Sequence, residues 1–541
     1  MAYDDVLTHL GDFGRYQRRI YLLLCLPAVT CALHKMSGVF LQGRVDHRCR
    51  LPADGANATF ALPDEVLNAS LPWDEAAGRW SSCLRRDAAD PAGRPAVPCR
   101  SWVYDPHRTT AVSEWDLVCE HDWLRPTADA CVMTGVLVGA LLFGALSDRF
   151  GRRPVFFGSL VLQVAVGLLA ALAPYYVLFL VLRFVIGMTT SGVFLVAYVL
   201  AMEMVGPSKR LVAGVSCQLF FTAGYMLSAV FAKYITDWRL LQAAMTAPGL
   251  LFLLYWWFVP ESARWLLTKG RVEEARAVLR RAARVNGVAL PSDALAALLP
   301  PAPPASPAPP AADKQGAAPA KPRDASLLDI MRYPNLRRRS LNIFFNWFAN
   351  NLTYYGLSWN TANLGGDIYL NFLISGAVEI PAYIFLLLTL NRWGRKAILC
   401  GSMIVGAVIL LITTLVPQDM TWLTVTLVMV GKLAITASYG TVYVFTTEQF
   451  PTVIRNAALG TSSMCARVGG IIAPYINLLG GVWPAMPTLV FGGMTLTAGL
   501  MALLLPETLN RTLPDTIADG ESFGMKKIDP ENADDLPVKK V

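Results

Sequence analysis

Apolar residues along this chain gather into blocks of roughly 20, each long enough as helix to cross a ~30 Å hydrocarbon core. The blocks lie near 20–41, 127–147, 154–174, 177–202, 211–235, 238–259, 340–360, 369–390, 397–416, 421–446, 456–479 and 485–505. The pattern predicts an all-α membrane protein of twelve transmembrane helices. The polar interludes are unequal. Residues 42–126 are too many for a turn and predict a small folded loop domain. Residues 262–286 read as amphipathic helix, with an apolar stripe at Leu266, Ala275, Val278, Leu279 and Ala282. An Ala/Pro stretch at 299–323 is low-complexity and cannot bury a core, and order resumes at Ser326-Leu327-Leu328-Asp329. The tail after Thr508 is polar and reads as disordered.

Charged motifs recur between the blocks. Asp148-Arg149-Phe150-Gly151-Arg152-Arg153 is echoed by Asn391-Arg392-Trp393-Gly394-Arg395-Lys396, 243 positions on. Glu203 with Arg210 is echoed by Glu448 with Arg455 at an offset of 245, and Pro260-Glu261-Ser262 by Pro506-Glu507-Thr508 at 246. Three motifs in register imply two pseudo-symmetric six-helix halves, a construction typical of secondary transporters. The expected divisions are an N-terminus at 1–19, a first half at 20–260, a central loop at 261–339, a second half at 340–506 and a tail at 507–541.

Composition agrees. Of 541 residues 54% are hydrophobic and 16% charged, with a mean hydropathy of +0.42, where a soluble protein would be about a quarter charged. Loop charge predicts orientation. Segment 42–126 has ten Arg and thirteen acidic residues, whereas 261–339 has fourteen basic and seven acidic. The positive-inside rule then puts both termini and the central loop in the cytoplasm and 42–126 outside. The net +8 is therefore topological rather than a nucleic-acid footprint. The acidic start and long first block show no cleavable signal peptide, so the first span is expected to act as a retained anchor.

Cys49, Cys83, Cys99 and Cys119 share the outside loop, an even number in an oxidising compartment, which predicts two disulfides with three pairings open. Asn57 and Asn68 head glycosylation sequons there. The sequons at Asn351 and Asn510 fall in the membrane and inside, respectively.

The repeated charges, together with Arg183 and Arg264, are expected at cytoplasmic ends of spans. In the first half these are Asp148, Arg152, Arg183, Glu203, Arg210, Glu261 and Arg264; in the second, Arg392, Arg395, Glu448, Arg455 and Glu507. Ion pairs between the halves there would close an inner gate. The unrepeated charges point to the ligand. Glu379, just before Pro381, Lys432 and Arg467 all lie within apolar blocks, where an ionisable residue is costly and by default functional. Their alternatives are a buried pair holding the second half together, or a cavity lined by both signs. Trp347, Tyr354 and Tyr355 share the seventh block, and Gln218 with Phe220 or Phe221 can face them from the fifth. Aromatic walls suit organic ions by stacking or cation–π attraction. The five His form no metal-ligand spacing and no phosphate-binding loop is visible, so neither enzyme, metal nor cofactor is expected. Gly469-Gly470 fits close helix packing.

Gly144-x-x-x-Asp148-Arg149-x-Gly151-Arg152-Arg153, Ser113-Glu114-Trp115-Asp116-Leu117-Val118-Cys119, Pro260-Glu261-Ser262-x-Arg264-Trp265-Leu266 and Glu448-x-Phe450-Pro451-Thr452-x-x-Arg455-Asn456 resemble the organic ion transporters of the major facilitator superfamily. That solute-carrier family includes organic cation, anion and carnitine transporters, and the resemblance extends to insect organic cation transporter-like proteins. It implies alternating access around a central cavity in the plasma membrane, with a glycosylated outer loop. It also places Trp347, Tyr354, Glu379, Lys432 and Arg467 at cavity-lining positions. Cation transporters of the family carry Asp where this chain has Arg467, while Glu379 is of the cation and carnitine type. The mixed site implies a small organic ion as partner: a zwitterion such as carnitine, or an anion, as readily as a cation. Facilitated diffusion, anion exchange and sodium symport all fit, so a coupling ion or counter-substrate stays open. Two other readings stand: a sugar transporter of the same superfamily, whose sites favour Gln and Asn, and a non-transporting receptor or scaffold with the same fold.

Overall fold

A computed structural model of the chain describes residues 3–55, 58–75, 78–86, 96–289, 331–417, 419–511 and 513–524. The Ala/Pro stretch, Ser326–Asp329, Asn57 and the tail beyond 524 lie outside the described residues.

Each apolar block is helical. The first half contains a broken first span (Arg15–Cys25, Pro27–Met36, Gly38–Leu41). Spans two to five are Arg125–Phe150, Arg152–Ala171, Tyr176–Met204 and Arg210–Tyr234. The sixth is Trp238–Thr246 continued by Pro248–Leu253. The second half repeats the plan. Its seventh span is Pro334–Trp359, and its eighth is Ile368–Ala377 followed by Glu379–Trp393. Spans nine to twelve are Arg395–Thr413, Thr421–Gln449, Arg455–Leu478 and Met486–Ala502. Among the described residues, nine of these meet a length-and-hydropathy test for crossing a membrane. The seventh falls short through Asn342, Asn346, Asn350 and Asn351, all buried against protein rather than lipid. The twelfth has 17 residues.

Proline explains two of the interruptions. Pro27 and Pro381 lack the N–H that would continue the helical ladder, so the first span breaks at Leu26 and the eighth at Val378. The break at Val378 lies beside Glu379, used below. The seventh and eleventh spans pack closely: a Cβ on Gly469 would come within 2.5 Å of the Phe348 carbonyl oxygen. The halves meet along two seams, second span to eleventh and fifth to eighth.

The 42–126 segment folds on three two-stranded sheets. In the largest, His47–Cys49 pairs antiparallel with Trp102–Tyr104. Disulfides join Cys49 to Cys99 and Cys83 to Cys119, and Asn68 is exposed on a short helix, Asp64–Ser70. The 262–286 stretch forms two helices, Ala263–Thr268 and Val272–Asn286, because Gly270 turns the chain at φ +72°. Leu266, Ala275, Leu279 and Ala282 are buried there. Asn286 ties this arm to the first half, accepting from the Tyr16 N–H at 2.9 Å and donating to the Leu10 carbonyl.

Candidate functional site

The repeated motifs build the same device twice at the end of the bundle where the chain begins. Gly151 and Gly394 leave the second and eighth spans at φ +111° and +91°, and a Cβ on either would strike Glu261 or Glu507. The turn frees the N–H groups that open the next span. Glu261 accepts from the N–H of Arg152 and Arg153 at 3.0 and 3.2 Å. Glu507 accepts from those of Arg395 and Lys396, both at 3.0 Å. A carboxylate at a helix N-terminus satisfies orphan donors and opposes the dipole. Burial works to raise the Glu507 carboxyl, but the N–H groups of Leu509, Thr508, Arg395 and Lys396 outweigh it and hold it below the usual glutamate range.

The arginines behind these turns pair with the next motif. Arg152 meets Asp148 at 2.6 Å and Glu203 at 3.4 Å, and Arg395 meets Glu448 at 3.1 Å. Every one of these pairs lies within one half, which corrects the expectation of bridges between halves. Arg210 binds Asp4 at 2.6 Å, lowering that carboxyl chiefly through the hydrogen bond. Its counterpart Arg455 donates, among the described residues, to the Phe450 carbonyl, and Arg264 and Arg392 are exposed.

Arg183 is a second correction. It lies 20 residues before Glu203 on the same straight helix, about 30 Å away by helical rise. It sits at the opposite end, fully buried, 3.1 Å from Asp129 and 2.8 Å from the Ser37 hydroxyl. Spacing alone hid this, because Tyr176–Met204 runs the full depth of the bundle with one Arg near its start.

Mid-depth, Glu379 and Lys432 pair at 3.4 Å with essentially no exposure. Both carboxylate oxygens are occupied: one accepts from the Tyr354 hydroxyl at 2.5 Å, the other from Thr222 at 2.7 Å. The Lys432 ammonium donates to Tyr225 at 2.9 Å and Ser375 at 2.8 Å. Thr222 and Tyr225 belong to the fifth span, so the pair also joins the halves. Of the two alternatives read from the sequence, the buried pair is the one formed, and each Glu379 oxygen already accepts a hydrogen bond. Trp347 is likewise internal to the second half, its indole N–H on Thr446 at 2.8 Å and its ring on Tyr443.

Arg467 is different. Its guanidinium donates to the Ser463 carbonyl and hydroxyl one turn earlier and reaches no carboxylate among the described residues. It lies within electrostatic range of Tyr355, Tyr443 and a residue the sequence reading missed, Lys35. Lys35 stands at the second break of the first span, with its ammonium 4.7 Å from the Tyr355 ring centroid and 6.0 Å from that of Phe221. It makes no ion pair among the described residues either. Gln218 is half-buried on the fifth span, one turn before Thr222. The centre therefore brings together Lys35, Phe221, Tyr355 and Arg467 around two uncompensated cations. The rule that flagged Lys432 applies equally to Lys35, which lies inside the first apolar block.

A family model described as sugar (and other) transporter matches residues 125–516. The chain belongs to that family. Within it, the organic cation transporter protein of Drosophila melanogaster is 52% identical, covering 99% of this chain and 97% of the relative. The organic cation/carnitine transporter 2 of Homo sapiens is 36% identical over 95% and 93%, and solute carrier family 22 member 7 of Bos taurus 37% identical over 100% of both. A solved structure titled as the inward open conformation of the xylose transporter XylE from E. coli superposes with a TM-score of 0.60, at 16% identity over 92% of this chain and 98% of that one. That likeness supports the twelve-helix major facilitator fold. This transporter is thus a multi-pass membrane protein whose two halves carry matched charge clamps and whose centre carries an unmatched positive charge.

Proposed function

We propose that this transporter moves small organic ions bearing a carboxylate, as anions or zwitterions, across the plasma membrane by alternating access. Its termini and charge clamps would face the cytoplasm and the disulfide-bonded loop the exterior, as loop charge suggests. One observation carries the substrate reading: Glu379 is engaged by Lys432, Tyr354 and Thr222, while Arg467 and Lys35 have no acidic partner among the described residues. Two half-buried cations side by side within the membrane-spanning bundle favour an anionic group, and Arg467 offers a fork to a carboxylate. A plain organic cation would meet Lys35 already seated against the Tyr355 ring. A zwitterion's ammonium has the remaining aromatic surface of Phe221 and Tyr355. The relatives' names speak of cations and carnitine; the carnitine type of substrate, with both charges, is the one this centre accommodates.

Uptake tests it. Cells expressing the wild type or Arg467→Ala are given labelled carnitine, a quaternary-ammonium cation and an aryl carboxylate, with and without sodium. Carboxylate-bearing substrates should lose uptake in the variant while the plain cation does not. Unchanged uptake of every anionic and zwitterionic substrate, at equal surface expression, sinks the reading.

A further inference from the structure

A polar cavity lies one helical turn from the centre, toward the end that carries the 42–126 loop. It encloses about 130 Å³ between the halves, lined from the first half by Gln42, Arg108 and Arg125 and from the second by Trp359 and Asn477. The Tyr355 ring separates it from the central cations, standing 5.2 Å from that of Trp359 and 4.7 Å from Lys35.

Two properties set this cavity apart from a packing defect. The first is unspent hydrogen bonding. Trp359 is 7% exposed and its indole N–H has no partner, Gln42 is 3% exposed and its Oε1 has none, and the Asn477 Oδ1 has none. A buried polar atom left without a partner costs about 1–3 kcal/mol, and three converge on one small space. The second is surplus positive charge. Arg44 and Arg125 share the single carboxylate of Asp122, at 3.1 and 3.2 Å. Arg108 has no carboxylate partner among the described residues; it donates to the Phe40 carbonyl at 2.7 Å. Asp129 also lines the wall, but its Oδ1 is held by Arg183 and Gln42.

We propose that this cavity is an entry site for a short carboxylate bearing a hydroxyl or ammonium group. The carboxylate lies toward Arg108 and the Trp359 N–H, and the second group donates to the Gln42 and Asn477 oxygens. A ligand held here is one turn from Lys35, so capture at the entry and transfer to the centre need only movement of the Tyr355 ring. The site is independent of which ion the centre prefers.

Titration calorimetry on purified full-length protein with 3-hydroxybutyrate tests this. Trp359→Phe keeps an aromatic ring and removes the N–H; Gln42→Met keeps the bulk and removes the oxygen, together with the amide N–H that reaches Asp129 at 3.4 Å. Each should weaken binding about tenfold, near one hydrogen bond's worth. Arg467→Ala should leave this binding in place. The proposal is overturned if the wild type shows no saturable binding, if both cavity variants bind as the wild type does, or if Arg467→Ala alone removes all binding, leaving the cavity to water.

Discussion

The charges at the chain-start end and those at the centre obey opposite rules. At the clamps, each repeated acid has its donors within its own half: Glu261 and Glu507 on helix N-termini, Glu203 and Glu448 on Arg152 and Arg395. At the centre the acids run out before the cations do, since Glu379 answers Lys432 and, among the described residues, no acid answers Arg467 or Lys35. Saturated charge rigidifies; unsaturated charge awaits a partner from outside. A motif's recurrence therefore marks what both halves need as rigid bodies, and a motif's failure to recur marks what the ligand needs.

The comparison breaks first at Glu379 and Lys432. Lys432→Met leaves a buried carboxylate without its cation, which should cost about 3–5 kcal/mol. The protein should unfold at markedly lower temperature in a detergent melt, and adding Glu379→Gln should recover most of the loss. Equal damage in single and double variants would mean the pair is not the unit described. Next comes Arg467→Ala, expected to weaken an aryl carboxylate by about 2 kcal/mol, or some 30-fold, with little change in melting. Lys35→Met should reduce binding of anions about tenfold and improve that of plain cations, because a cation–π contact of ~1 kcal/mol is vacated for them. Binding and uptake of both ligand classes read this out, and parallel loss of both contradicts it. The smallest binding effect belongs to the clamps. Glu448→Gln should slow transport turnover while the dissociation constant for substrate moves less than about twofold; matched losses would make Glu448 a ligand.

How much the sequence told depends on the kind of signal. The twelve spans and their duplication were legible because hydropathy and register are linear properties, and the motifs at Gly151 and Gly394 mark the same turn. Arg183 lies at the far end from Glu203 because Tyr176–Met204 runs the full depth of the bundle, which motif spacing does not report. Lys35 lies in the last third of the first block, beside His34, where a lysine reads as a flank. The depth of that block is set by Pro27 and by contacts with the fifth and fourth spans, which no linear pattern reports. Glu379 was legible as buried but not as occupied, since Thr222 is 157 positions away.

The seam between fifth and eighth spans has a kinetic consequence. What the first half contributes to the Glu379–Lys432 pair is two hydroxyl groups, Thr222 and Tyr225, and no charge. When the halves part there, both ions stay together and only neutral bonds to them are broken. Each bond to a charged group is worth about 1.5–3 kcal/mol, and departing hydroxyls can be replaced by water one at a time. Had one ion sat on each half, every cycle would expose a bare buried charge, adding several kcal/mol to the barrier and slowing each passage by a thousandfold or so. Keeping both signs on one side of the moving joint lets the seam be polar, specific and still quick to open.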